Sequence, residues 1–171
     1  EEKKDLKKAS TALERLVLLK PSPASNLRLA GYYIGLKDSV RAIEPLERFT
    51  AVKRDAGPQM LLLSKCYLVR KDYEKAEVVM RKVIALKPKE SLSDIYLVYA
   101  VALEGIGKLP DAIGAYEMSL KYDAKNGEAF FKVGQFYLRE RKWKEAITPL
   151  LNALNLGVHR DEAMAGLADA Y

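Results

Sequence analysis

The strongest constraint on this chain is a period. Four short matches, Arg41-Ala42-Ile43, Lys75-Ala76-Glu77, Asp111-Ala112-Ile113 and Glu145-Ala146-Ile147, set their alanines 34, 36 and 34 residues apart. Upstream of each alanine lies a second pattern: Phe130, Val133, Gly134, Tyr137; Tyr96, Tyr99, Ala100, Leu103; Met60, Leu63, Ser64, Tyr67; and, most loosely, Asn26, Leu29, Ala30, Tyr33. Offsets of three, four and seven put large, large, small and large side chains on one stripe of a helix. Downstream, Ala42, Leu46 and Phe49 and their counterparts do the same for a second helix. The two small residues of each copy let the paired helices approach closely. Lys37-Asp38-Ser39, Lys71-Asp72, Gly107-Lys108 and Arg141-Lys142 supply the turns between them. No alternating β-branched run or hairpin signal interrupts this pattern, and Asn126-Gly127 reads as a helix stop and start.

These residues resemble the tetratricopeptide repeat, with its W-x2-L-G-x2-Y, A-x3-F and closing proline over 34 residues. The resemblance spans four full repeats, about 23–56, 57–92, 93–126 and 127–160. Half-repeats at 5–21 and 161–171 complete a single domain covering 1–171. The tryptophan position holds Asn26, Met60, Tyr96 and Phe130 instead, and the closing proline occurs only at Pro21 and Pro88. Two extra residues fall near Ser91-Leu92. The resemblance implies an all-α, right-handed superhelical solenoid of antiparallel helix pairs, each touching its neighbours. Pro23 and Pro58 suit a first helical turn, and Asp72 and Asp111 suit an N-cap or acidic first turn. Pro45 and Pro149, three residues after the small alanine, are expected early in the second helix without breaking it.

Chemistry is sparse. With one Cys and one His, neither a disulfide nor a His/Cys metal cluster can be assembled, and no cofactor is implied. Phosphate-loop, nucleophile-elbow and zinc-protease motifs are absent. Gly105-Ile106-Gly107-Lys108 lies in a helix-to-helix turn with no strand before it. His159 reads as an exposed turn residue, Cys66 as a buried small hydrophobe, Glu74 and Glu77 as a solvated pair, and Trp143 as a packing residue matching Tyr73 and Leu109. The chain is therefore not expected to be an enzyme. No run approaches the roughly 18 apolar residues of a membrane span, and nothing assigns a compartment.

The informative surface is a second stripe on each first helix, turned away from the packing stripe. It comprises Leu27, Gly31 and Ile34; Leu61, Lys65 and Leu68; Leu97, Val101 and Glu104; and Phe131, Gln135 and Leu138, with Arg28, Leu62 and Val98 alongside. A merely solvated face would be mostly Lys, Glu and Gln. The family resemblance implies that this stripe lines a concave groove holding an extended peptide or a partner helix. Two other readings stay open: the stripe packs on the next repeat, or another part of the parent protein fills the groove. Leu27 and Gly31 stand where some family members carry a carboxylate-gripping clamp, so a chaperone-tail binder is not implied.

The expectation is thus a non-catalytic scaffold with a mostly apolar groove and another protein or peptide as partner. Charged margins come from Arg28, Lys65, Lys132 and Arg139 and from Asp94, Glu104 and Glu128. Two alternatives compete. Residues 1–92 carry 20 basic and 12 acidic side chains while 93–171 carry 9 and 11, so the basic half could hold nucleic acid or another acidic partner. Most of those bases sit in doublets near helix ends, where they favour the helix dipole, which disfavours nucleic acid. The other alternative is an assembly module self-associating through its solenoid ends. Ala163, Ala165, Gly166, Ala168 and Ala170 are small and weakly polar, suiting an internal helix of a longer array. A chain extended by one full repeat is expected to melt at a higher temperature in a calorimetric scan; an unchanged midpoint would count against that expectation.

Overall fold

The computed structural model describes residues 2–171, with side chains from Lys8 onward. Glu1 and the side chains of residues 2–7, part of the first half-repeat, lie outside the described residues. Ten helices follow one another and no strand is present among the described residues: α1 (Glu2–Leu19), α2 (Pro23–Gly35), α3 (Ser39–Val52), α4 (Gly57–Arg70), α5 (Tyr73–Ala85), α6 (Leu92–Gly105), α7 (Leu109–Tyr122), α8 (Gly127–Arg139), α9 (Trp143–Asn155) and α10 (Arg160–Ala170). They group into two compact units that meet in sequence between Pro88 and Lys89. The first holds α1–α5 and the second α6–α10. The two residues that lengthen the 36-residue spacing fall in the segment joining them, where Lys87 and Ser91 take left-handed φ angles of 50° and 55°.

Each hairpin is built on the small residues. Ala42, Ala76, Ala112 and Ala146 are at most 1% exposed, as are Ala30, Ser64 and Ala100, and Gly134 is buried. Large side chains close over them. In the second unit Leu103 and Tyr116 enclose Ala100 and Ala112, while Leu150 and Phe131 pack with Ala146. Gly134 shows how tight the crossing is, because a Cβ there would lie 2.7 Å from Cγ and Cδ2 of Leu150.

The turns repeat as faithfully as the core. Lys37, Lys71, Gly107 and Arg141 all adopt φ near +60° to +80°, on the same spacing as the alanines. In each turn the next residue's N–H bonds back five residues, Asp38 to Tyr33, Asp72 to Tyr67, Lys108 to Leu103 and Lys142 to Tyr137, at 2.8–2.9 Å. This is the Schellman ending, which satisfies carbonyls a helix would otherwise leave bare. Only Gly107 adopts the left-handed region freely; at the other three the bonds and packing outweigh a cost of about 1 kcal/mol each.

Helix starts follow the sequence. Ser22 and Ser25 form a reciprocal capping box before Pro23, and Asp38 and Asn126 accept from the N–H groups of Arg41 and Ala129. Asp72 occupies an N-cap without bonding the backbone; Arg70 takes its carboxylate instead, through Nε at 2.7 Å. Pro45 and Pro149 lie inside α3 and α9, which run through them unbroken. One expectation is corrected: Trp143 is 43% exposed at the start of α9, so it does not pack as its repeat position suggested. The first residue of a helix projects beyond the crossing that buries Ala146.

Two glycines give opposite forecasts. Gly134→Ala drives a methyl into buried Leu150 and should destabilise by about 1–2 kcal/mol after its helix-propensity gain. Gly114, inside α7, has open space where its Cβ would be, so Gly114→Ala should stabilise by about 0.5–1 kcal/mol. Urea unfolding of both variants reads the signs directly.

Candidate functional site

The outward stripe divides by burial. On α2 and α4, Leu27, Ile34, Leu61, Leu62 and Leu68 are half-buried while Arg28, Gly31 and Lys65 are exposed. On α6 and α8, Leu97, Val101, Glu104, Gln135 and Leu138 are half-buried, but Val98 and Phe131 are only 5% and 4% exposed. Phe131 joins the core formed by Leu150, Ala163 and Leu167, and His159 stacks on its ring at 4.2 Å. Leu138 reaches α10 as well, since a Cβ on Gly166 would lie 2.8 Å from its Cδ1. In the second unit, then, α10 and the turn before it cover part of the stripe. Leu97 and Val101 likewise lean on the α6–α7 core.

Charge divides the same way. Glu104 of α6 accepts from Tyr116 Oη of α7 at 2.8 Å and pairs with Lys132 Nζ of α8 at 3.2 Å. Two charges expected at the groove margin therefore neutralise each other and tie three helices together. Neither α2 nor α4 contains an acidic residue, and their charged side chains are Arg28, Lys65 and Arg70. In the first unit α2 and α4 thus offer half-buried aliphatic side chains and no acidic residue of their own. Gly31, between Leu27 and Ile34, has no neighbour where its Cβ would be. Packing does not require a glycine there, unlike at Gly134.

A set of hydroxyl–carboxylate bonds was not anticipated from sequence. Tyr33 donates to Glu14, Tyr67 to Glu47 and, at 3.4 Å, Tyr137 to Glu117. Each joins a first helix to the second helix before it. The signal was present as an acidic residue 19 or 20 positions ahead of a repeat tyrosine, but it becomes visible only once the helices are stacked. The corresponding tyrosine position holds Leu103 in the third repeat, and the glutamate position holds Arg81 in the second, so the pair is written three times. Arg41 reinforces the first by bonding Glu14 at 2.7 Å and lying 4.5 Å above the Tyr33 ring.

Other singled-out residues are inert. Cys66 is buried, and burial pushes its thiol up, away from a reactive thiolate. His159 is the left-handed N-cap of α10, partly exposed, with Nε2 2.9 Å from Glu128 Oε2; it anchors the turn as well as bordering solvent. Glu77 departs from the expected solvated pair: it is buried beside Ala76 and held by Arg81 at 2.8 Å. Among the described residues no three His, Cys, Asp or Glu side chains gather as metal ligands, and no helix is long and apolar enough to cross a membrane.

A tetratricopeptide-repeat family model matches residues 99–155. A crystal structure of MamA superposes with a TM-score of 0.79 at 21% identity, covering 96% of this chain and 93% of its own. YrrB, described as a tetratricopeptide-repeat protein with an unusual peptide-binding site, gives 0.74 at 13% identity over 95% of this chain and 83% of its own. TTC0263, a thermophilic tetratricopeptide-repeat protein from Thermus thermophilus, gives 0.63 at 18%, over 96% and 90%. No curated protein sequence matches. The fold is the all-α helix-hairpin solenoid of these tetratricopeptide-repeat proteins.

The tyrosines set an alkaline limit. Burial, then the bond to Glu14, pushes the Tyr33 phenol up to about 12; burial and a carboxylate partner also raise Tyr67 and Tyr116. An unfolded tyrosine ionises near pH 10. Their contribution is therefore complete below pH 10 and declines as pH rises toward 12, because the unfolded chain releases protons the native one keeps. Tyr33→Phe should be less stable at pH 8 and should show a shallower loss between pH 10 and 12 in urea unfolding.

Proposed function

We propose that this protein is a non-catalytic scaffold that binds an extended peptide or partner helix on the outward face of its first helices. The observation that carries the reading is the first-unit face: Leu27, Ile34, Leu61, Leu62 and Leu68 stay half-exposed beside Arg28 and Lys65, with no acidic residue on either helix. Aliphatic surface left in water on neighbouring helices suits a partner's apolar side chains. A border of bases favours acidic flanks on that partner. Gly31 leaves the α2 backbone bare between Leu27 and Ile34, where a partner main chain can approach. The peptide-binding site named for YrrB is consistent with such a role. In the second unit Leu97, Val101, Gln135 and Leu138 offer a candidate face of that unit's own, while Val98 and Phe131 serve the core.

Nucleic acid is disfavoured by the state of the bases it would need. Arg70 is held by Asp72 and lies 5.5 Å above the Tyr67 ring, and Arg81 is engaged by Glu77. Self-association finds support in exposed Leu18 and Leu19 on α1 and Met164 on α10; it would appear as concentration-dependent mass in light scattering without any ligand.

Leu61→Glu combined with Leu97→Glu should abolish partner binding while helix content, read by circular dichroism, stays unchanged. Normal binding by the double variant would overturn the groove. Steep salt dependence lost on charge reversal at Arg70, Lys71, Arg81 and Lys82 would favour nucleic acid instead.

A further inference from the structure

Asn-Gly occurs once in the sequence, at Asn126-Gly127, and it is a pair through which a chain can modify itself. The Gly127 backbone nitrogen can attack Cγ of Asn126, because glycine has no side chain to obstruct the approach. The N–Cγ bond forms, the Cγ–Nδ2 bond breaks, and ammonia leaves with the proton given up by the Gly127 nitrogen. The resulting succinimide takes up one water. It opens to aspartate or, when the main-chain carbonyl is the one hydrolysed, to an isoaspartyl link that carries the chain through Cβ.

The fold holds this pair shut. Asn126 is the N-cap of α8, and its Oδ1 accepts from the Ala129 N–H at 3.2 Å. Its Nδ2 donates to Ser119 Oγ of α7 at 2.9 Å and, at 3.4 Å, to Ser93 Oγ of α6. Ser119 is fully buried and donates in turn to the Ser93 carbonyl at 2.9 Å. Its repeat position holds Phe49, Val83 and Ala153 elsewhere, so this polar latch is peculiar to the third repeat. With both ends of the amide bonded, Cγ is not free to turn toward the Gly127 nitrogen, and ammonia could leave only by abandoning Ser119. Gly127 is confined as well: it is buried, and a Cβ there would lie 2.6 Å from Val158 Cγ2. Its N–H, at the first helical position, has no intrahelical acceptor, so position alone restrains the nucleophile.

We propose that Asn126-Gly127 is a self-modification site gated by the serine latch. Deamidation proceeds from a local opening in which the first turn of α8 leaves Ser93 and Ser119, and the isoaspartyl product then keeps that turn from closing. The added main-chain carbon needs room where Val158 and Leu156 already come within 3.2 Å of a Cβ on Gly127. The α9–α10 turn, which carries His159 onto the Phe131 ring, is therefore displaced, and the covered part of the α8 stripe is released to solvent. Water is the sole co-reactant.

The test incubates the whole chain at pH 8 beside a synthetic peptide of residues 123–131, and follows isoaspartate at Asn126 by peptide mapping and mass spectrometry. The folded chain should react at least about tenfold more slowly than the peptide, by a factor comparable to the hydrogen-exchange protection of the Ala129 amide. Ser119→Ala weakens the latch and should raise the folded-state rate about three- to tenfold. Should that buried change prevent folding, Ser93→Ala takes its place and should also raise the rate. Ile43→Val destabilises the first unit to a similar degree and should leave the rate unchanged, which separates local from global opening. Once modified, the chain should lose exchange protection in α10 while keeping it in α2–α4. Reaction as fast as in the peptide, no reaction in the folded chain, a rate unmoved by the serine variants or raised equally by Ile43→Val, or intact α10 protection after modification would overturn the proposal.

Discussion

The structure depends on helices crossing where one of them has almost no side chain. At Ala30, Ser64, Ala100 and Gly134 on first helices, and at Ala42, Ala76, Ala112 and Ala146 on second helices, backbones come close enough for Leu, Met and Tyr to close over the crossing. Interiors pack near crystal density, so one added carbon at such a point must displace a buried neighbour, as the 2.7 Å approach to Leu150 shows. Each hairpin has a narrow stripe of this kind on each side. Within each unit this lets successive hairpins stack on one another.

Two further devices hold the stack in register. The Schellman turns at Lys37, Lys71, Gly107 and Arg141 end each first helix at the same point, so the second helix always departs at the same phase. The tyrosine–glutamate bonds then fasten successive hairpins through charged acceptors, stronger than neutral ones. Both lie at the edge of the packing stripe. On α2 and α4 the opposite side is left aliphatic and half-buried, whereas on α8 part of it is covered by α10.

Much of this was legible in the residue order. The alanine spacing, the small residues of the first helices, the proline at the first turns, the burial of Cys66 and the continuity of α3 and α9 through their prolines all follow from short-range rules. The fate of the outward stripe was not legible. Phe131 and Leu61 occupy the same repeat position, yet Phe131 is buried under α10 and His159 while Leu61 keeps part of its surface. Glu104 and Lys132 looked like opposing margins and proved to be partners.

The sequence by itself determined the hairpin, its length, its turns and the side of each helix that faces its mate, because these rest on offsets of three, four and seven within one helix and on local φ preferences. Tertiary structure alone decided which outward residues stay in water, which charges neutralise one another, and that Ser93 and Ser119 meet at Asn126. Those outcomes depend on groups about 20 to 30 residues away. A one-dimensional pattern names a face without saying what, if anything, comes to rest on it.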